Sequence, residues 1–267
     1  MKNLRFLLFL TLAAALTFVS CKKDDDTGDD APPAVKSLKL VKATKDDGTY
    51  KKFTYNADNN LTKVNYYDIS GNLYKHSDFA YTGKNMTEYT DYNGATAGEK
   101  ITVTYVDGKP SSANFQQNSG AGLVNYLTLI YTFSGDKLTT IDYTTNVSGV
   151  PPTIMQKFNF TTSGANYTRN DKEGAGGSAN GYSEYTYDNK KSPMHGVGVD
   201  FILGAIEMMS VNNTTMQKFV SSTGQIDQAQ SVNTTYLYNA ENYPTKQTDV
   251  SFDGNATIVI TFTYEEK

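Results

Sequence analysis

The stretch Leu61-Thr62-Lys63-Val64-Asn65-Tyr66-Tyr67-Asp68 alternates between two side-chain classes. It is followed by Ile69-Ser70-Gly71-Asn72, then by a second alternating run from Leu73 to Tyr81, then by Thr82-Gly83-Lys84-Asn85. Alternation with a period of two is the signature of a strand with two unlike faces, and short clusters of Gly, Asn and Ser between such runs are turn chemistry. The unit is therefore a β-hairpin. Its many Thr and Tyr residues suit a pleated, half-buried surface.

Working outward, the unit recurs. An aromatic-x-aromatic triplet, or a close variant, appears at Phe53-Thr54-Tyr55, Phe79-Ala80-Tyr81, Val103-Thr104-Tyr105, Tyr131-Thr132-Phe133, Phe158-Asn159-Phe160, Tyr185-Thr186-Tyr187, Tyr236-Leu237-Tyr238 and Phe262-Thr263-Tyr264. The third residues are spaced by 26, 24, 28, 27, 27, 51 and 26. A fixed period of this length means one supersecondary unit copied along the chain. The long step is close to two periods and reads as a copy that has diverged between about Asn189 and Thr235. Asp107-Gly108, Gly135-Asp136, Ser148-Gly149, Ser163-Gly164, Thr223-Gly224 and Asp253-Gly254 supply the positive φ that tight antiparallel connections need.

Eight hairpins, the diverged copy included, predict roughly 16 strands in an up-and-down meander. Strand twist accumulates, so such a sheet must curl into an open or closed barrel, a porin-like shape. Each triplet puts its two outer aromatics on one face and its small or polar middle residue on the other. In Met155 to Phe160, Lys157 and Asn159 lie opposite Phe158 and Phe160, and in Ile258 to Tyr264, Val259, Thr261 and Thr263 lie opposite the apolar set. A lipid-facing Lys at mid-depth costs about 2–4 kcal/mol, so the rings are expected inside and the outer face in water. Rings filling the interior would send their hydroxyls to water or backbone.

The units Phe53 to Leu61, Tyr185 to Pro193 and Tyr236 to Pro244 resemble those of a Bacteroidetes lipoprotein family of unknown function described as having a porin-like fold. The first and last are also distantly similar to the Tyr-Asp repeats of large secreted wrapping proteins. The first resemblance covers most of residues 37–267 and implies a porin-like β domain. It implies no functional residues.

The first thirty residues set the address. Met1 to Arg5 carry two positive charges, Phe6 to Phe18 run apolar, and Phe18-Val19-Ser20-Cys21 closes the segment. These are the parts of a secretory signal over residues 1–20, with an apolar run shorter than the roughly 20 residues that span a bilayer. The closing residues resemble the lipobox of bacterial lipoproteins, which implies a diacylglyceryl group on Cys21 and an anchor in the outer membrane. Lys22, Lys23, Asp24, Asp25 and Asp26 resemble the lysine-acidic export tag that sends such lipoproteins to the cell surface. The periplasmic face is the alternative. Residues 21–36 are expected to be a disordered tether with a reach on the order of 20 Å, leaving one domain over 37–267.

Without the signal the chain has 22 basic and 28 acidic side chains, a formal charge of −6. That balance argues against a nucleic-acid partner, because phosphate binding needs a basic surface. The single Cys excludes an internal disulfide, and the count of two histidines, His76 and His195, argues against a His-based metal site. After Pro193, the run to Met209 places Ile202, Ile206 and Met209 at i, i+4 and i+7 with Phe201, Ala205 and Met208 beside them. This spacing predicts a short helix near 198–209 with Asp200 near its start, either closing one end of the core or acting as a lid. The glycine-rich run Gly174 to Gly181 reads as a flexible connection, with Ser178 a loop serine. Asp171-Lys172-Glu173 offers two carboxylates with nothing to pair against.

No catalytic, cofactor or metal site is expected. The leading reading is a non-catalytic module that binds a glycan or another surface protein along its Tyr-bearing face or in its trough. The alternatives are a scaffold of the envelope, which would have a filled interior, and a hydrolase, which would need clustered carboxylates or His76 or His195 beside a Ser and an acid. Cys21→Ala is expected to leave the protein unlipidated and released from membranes in detergent partitioning; retention of the variant in the detergent phase would remove the anchor assignment.

Overall fold

The computed structural model describes residues 37–145, 151–197, 199, 201 and 206–267. The expected signal, Cys21, the tag and the tether lie outside the described residues, as do the Ser148-Gly149 turn and positions 198, 200 and 202–205 of the expected helix. The alternating runs form strands throughout: β1 (Leu38–Lys45), β2 (Tyr50–Tyr55), β3 (Leu61–Tyr67), β4 (Leu73–Thr82), β5 (Asn85–Asn93), β6 (Thr96–Val106), β7 (Lys109–Asn118) and β8 (Leu123–Ser134). The second half continues with β9 (Lys137–Thr145), β10 (Ile154–Ser163), β11 (Asn166–Gly174), β12 (Ala179–Lys191), β13 (Asn212–Val220), β14 (Val232–Tyr238), β15 (Pro244–Ser251) and β16 (Thr257–Glu266). Each strand pairs antiparallel with its sequence neighbours, and β16 returns to β1 with Leu38 opposite Glu266 and Lys45 opposite Ile260, so the meander is a closed barrel.

The repeat maps onto this barrel with two corrections. All eight triplets fall on even-numbered strands, so no copy is lost in the long step; its extra length is the segment 192–211, inserted between β12 and β13. In the fifth copy, moreover, the position equivalent to the third aromatic is Thr162, two residues beyond Phe160, as the pairing of Thr162 with Tyr167 shows. Among the described residues, the five turns other than Ser148-Gly149 have their glycine at positive φ, as read from the sequence. At Asp107-Gly108 both residues have positive φ, 50° and 76°, the mirror-image turn whose twist matches a hairpin.

One local device closes each unit. Where an even strand pairs with the next odd strand, the register shifts by one residue next to the triplet, and in the β16–β1 closure likewise. The extra residue is Val41, Thr62, Thr87, Ser111, Thr139, Thr168, Thr215 or Thr245. A bulge exposes backbone groups that need partners, and the hydroxyls supply them. Thr62 donates to the Thr54 carbonyl (3.1 Å), Ser111 to Thr104 (3.1 Å), Thr139 to Thr132 (2.9 Å) and Thr245 to Leu237 (3.2 Å). The residue before each bulge points inward and is buried: Leu40, Leu61, Met86, Pro110, Leu138, Tyr167, Thr214 or Pro244.

The last tyrosine of the triplet then ties two ladders together. The hydroxyl of Tyr55 donates to the Leu40 carbonyl (2.7 Å), Tyr81 to Leu61 (2.8 Å), Tyr105 to Met86 (2.9 Å) and Tyr264 to Pro244 (2.7 Å), and Tyr187 donates to Tyr167. Five phenols thus form a girdle at the end of the barrel where even strands turn into odd ones, interrupted at Phe133, at Thr162 and at Tyr238, whose hydroxyl donates to Asp188. At the fifth copy, which has Thr162 in place of the tyrosine, the Tyr167 hydroxyl instead accepts from the Leu138 amide (2.9 Å).

The outer face carries ion pairs. Lys63–Asp78, Lys100–Glu88 and Lys157–Asp142 bridge neighbouring strands there, and Arg169 holds Asp171 and Glu184, the latter also paired with Lys218. Such exposed pairs add little stability, but a belt of them at mid-strand is unlike the continuous apolar band that a lipid-facing barrel presents. Asp171 and Glu173 are not without partners, as the sequence suggested: strand alternation sends Lys172 inward, while Asp171 takes Arg169 and Glu173 accepts from Asn159 (2.7 Å).

Removing the Tyr105 hydroxyl by Tyr105→Phe is expected to cost about 1 kcal/mol in urea denaturation, whereas Leu138→Ala, at a fully buried position, is expected to cost about 2–5 kcal/mol. Equal, negligible losses would contradict the girdle. Burial also pushes the Tyr105 phenol up to about 12, partly offset by its bond to Met86, and raises Tyr55, Tyr131 and Tyr264 further. A phenol whose pKa is higher in the folded state contributes stability that is complete below about pH 10 and is lost as pH rises toward the folded value. The denaturation midpoint is therefore expected to hold up to about pH 10 and fall above it, in step with phenolate absorbance; an unchanged midpoint at about pH 11 would be the contrary result.

Candidate functional site

Sixteen strands enclose more space than inward side chains alone fill. On the β5 to β12 side the interior is packed by Met86, Ile101, Leu129, Tyr131, Leu138, Ile141, Phe160 and Tyr185. The inserted segment 192–211 enters this space at the girdled end. The Leu61 amide donates to the Val197 carbonyl (3.1 Å), and Tyr81 reaches the same carbonyl (3.4 Å). Phe201 meets Phe133 edge-on at 5.4 Å, and Ser210 accepts from the Tyr167 amide (3.1 Å) and donates to the Tyr187 hydroxyl (3.0 Å).

These anchors sit on β3, β4, β8, β11 and β12. Since β3 and β11 are eight strands apart in the closed order, the segment crosses the lumen from wall to wall. Val197, Val199, Ile206 and Met209 are buried in the core cluster, so the segment is core rather than an exposed lid.

The expected helix is shorter than its apolar spacing suggested. Among the described residues only Ile206–Met209, α1, is helical, while Val197, Val199 and Phe201 are not. The reason is local: β-branched valines favour extended chain, and the Val197 carbonyl is taken by β3 and β4 instead of by a helical amide.

Between this plug and the opposite end of the barrel lies a cavity of about 530 Å³. Ser192, Pro193, Met194, Val199 and Met208 of the plug line its floor, and Lys45, Thr49, Tyr50 and Tyr74, beside the β1–β2 and β3–β4 turns, line its mouth. One wall is apolar, with Phe53, Val64, Phe79, Ile260 and Phe262; the facing wall, from β13 to β15, carries Asn213, Gln217, Thr234, Gln247 and Asp249. The two shortest ladders of the barrel border it, β1–β2 with three pairs and β13–β14 with two.

The polar wall is largely bonded to itself. Asp249 accepts from Thr234 (2.7 Å) and, on both carboxylate oxygens, from the Gln247 Nε2 (2.9 and 3.0 Å), Asn213 bonds Asp188 (3.2 Å), and Gln217 donates to Tyr185 (3.4 Å). The mouth is different. Lys75 is committed to Asp91 (2.6 Å), which also accepts from Ser77 (2.6 Å), and this pairing raises the Lys75 pKa. The Tyr66 ring sits between two ammonium groups, Lys51 at 5.1 Å and Lys75 at 5.3 Å. Desolvation, followed by the positive charges of Lys45 and Lys75, lowers the pKa of Lys51. Among the described residues no carboxylate lies within ion-pairing distance of Lys45 or Lys51.

The remaining candidates fall elsewhere. His76 stacks on Tyr92 at 4.6 Å on the outer face, with Asp78 at 3.8 Å, and His195 lines a separate groove of about 190 Å³ on the far side of the plug, so the two histidines are not brought together. Ser178 bonds only its own turn, through the Ala175 carbonyl (3.4 Å). Gly174 to Gly181 is more ordered than the connection read from composition, with a single 3-10 turn at Ala175–Gly177 and Gly181 already inside β12. At Gly181, where φ is 91°, a Cβ would lie 2.1 Å from the Val220 carbonyl oxygen, so only glycine lets β12 pass β13 there. Sequence reasoning found the rings of the cavity but missed its lysines, Lys45, which the bulge in β1 turns inward, and Lys51, which shares the face of Phe53.

No protein-family model matches the chain, and no curated protein matches it at a significant level. Among solved structures it is similar to a porin-like protein from Bacteroides uniformis, with 12% identity and a TM-score of 0.54 over 85% of this chain and 98% of that one. It is also similar to a porin-like protein from Bacteroides vulgatus, with 14% identity and a TM-score of 0.56 over 86% of this chain and 99% of that one. At these identities the likeness shows a shared fold, the closed antiparallel meander.

Proposed function

We propose that this chain is a lipid-anchored lipoprotein of the outer envelope whose barrel is a non-catalytic receptacle for a small ligand. The cavity of about 530 Å³ carries this reading. Its size falls within the range of small-molecule sites, and it joins apolar walls to a few polar groups, as such sites do. A filled interior would have favoured a scaffold; the packed β5 to β12 half serves that role, and the other half is left for binding. The plug across the girdled end makes the porin-like shape a cup, loaded from the end bearing Lys45 and Tyr74.

Anchoring through Cys21 fits this reading, because the ion pairs on the outer face suit a body held in water beside the membrane. The Lys22 to Asp26 tag would place that body outside the cell, where rings such as Tyr66 and Phe79 could meet imported or scavenged molecules. The reading involves no nucleic acid and no cofactor.

The neutral apolar fluorophore N-phenyl-1-naphthylamine tests the cup directly. The purified full chain is expected to bind about one equivalent with a blue shift and enhanced emission. Ala43→Trp, which places a ring in the cavity, is expected to weaken that uptake by about tenfold or more, roughly 1.4 kcal/mol per decade, without changing the unfolding transition. No uptake by the parent, or equal uptake by the variant, would contradict the proposal.

A further inference from the structure

We infer that the ligand of this cavity is an amphipathic carboxylate of the fatty-acid type, its head group held by Lys45 and Lys51 at the mouth and its apolar body lying on the plug. This rests on the cup reading above and names its ligand class. The argument is one of elimination among the polar groups that line a single space.

On the β13 to β15 wall, Asp249 accepts from Thr234 and Gln247, and Asn213 and Gln217 are bonded to Asp188 and Tyr185, which leaves, among the described residues, the buried Thr214 hydroxyl as the unpartnered polar atom there. A sugar needs several free donors and acceptors arrayed on one face, and this wall has spent most of its own. At the mouth Lys75 is neutralised by Asp91. Asp47, near Lys45 in sequence, accepts from the Thr49 amide (2.9 Å) and hydroxyl (2.6 Å) and influences Lys45 only from beyond ion-pairing distance.

Two ammonium groups therefore remain over one opening, brought together on adjacent strands by the pairing of Ala43 with Lys51. Like charges held together in a partly desolvated site repel, and an anion placed between them relieves that repulsion and gains charge-assisted hydrogen bonds. Below them, Phe53, Leu61, Val64, Met194, Val199 and Met208 present an apolar wall and floor. Polarity thus changes along the axis of the cup, charged at the mouth and apolar at the base. A molecule with one anionic end and one apolar end matches this gradient in a single orientation.

The experiment displaces bound N-phenyl-1-naphthylamine with three twelve-carbon competitors that differ only in head group: dodecanoate, dodecanol and dodecyltrimethylammonium, all below their micellar concentrations. A glucuronic-acid oligosaccharide is the fourth arm. Dodecanoate is expected to compete about tenfold or more better than the other two chains, with an advantage that shrinks as salt is raised. In the Lys45→Gln/Lys51→Gln double variant the advantage is expected to vanish while dodecanol competes as before. Equal competition by all three head groups, an advantage that survives in the double variant, or stronger competition by the oligosaccharide would overturn the inference while leaving the cup intact. Failure of the parent chain to hold the fluorophore would instead remove the cup, and this inference with it.

Discussion

The structure depends on a geometric constraint: a closed sheet of sixteen strands encloses a lumen wider than two opposed layers of side chains can span. An empty lumen of that width would leave its apolar lining wet and lose the packing that stabilises a protein interior. This chain meets the constraint in two ways. Large rings from Phe and Tyr, abundant in a chain that has no Trp, cover the inner wall. One connection, 192–211, is lengthened and folded inward, where its valines, Phe201 and methionines fill the space the rings do not reach. The cavity that remains is bounded by that insertion.

The girdle follows from the same constraint. A barrel wall must bend, and bulges bend strands. Placing one bulge beside every triplet concentrates the bending at one end, where a Ser or Thr hydroxyl serves the exposed carbonyl in most copies and a tyrosine of the following even strand reaches back to the residue before the bulge. Where that tyrosine is present, it links the odd strands on both sides of its own. The plug exploits this directly: Tyr81 and Tyr187, both members of the girdle, also touch Val197 and Ser210.

The fold was legible in the sequence because a two-residue period and a turn grammar repeat eight times, and repetition makes each weak local signal mutually consistent. Strand number and inward rings were readable from the triplets. The long step misled because spacing cannot distinguish a decayed hairpin from an insertion; the distinguishing mark is the bulge Ser or Thr near the start of the odd strands after β1, as at Thr215, which the triplet search did not use. The helix misled because the apolar spacing from Phe201 to Met209 also suits a chain packed into the lumen, where the Val197 carbonyl just before it is taken by Leu61 and Tyr81, partners that only the closed barrel supplies. The site was the least legible part. Lys45 and Lys51 look like ordinary strand lysines; the bulge at Val41 turns Lys45 into the lumen, and Lys51 shares the face of Phe53 by strand alternation.

The account is tested most directly by residue-resolved amide hydrogen exchange at Leu61 and Tyr167. These two amides lie eight strands apart, and their partners are the Val197 carbonyl and the Ser210 hydroxyl of the crossing segment. If the segment spans the lumen, both exchange as slowly as amides in the middle of their own strands. Exchange of either at the rate of an exposed turn would show that the insertion does not cross the barrel, and the cup would have no base.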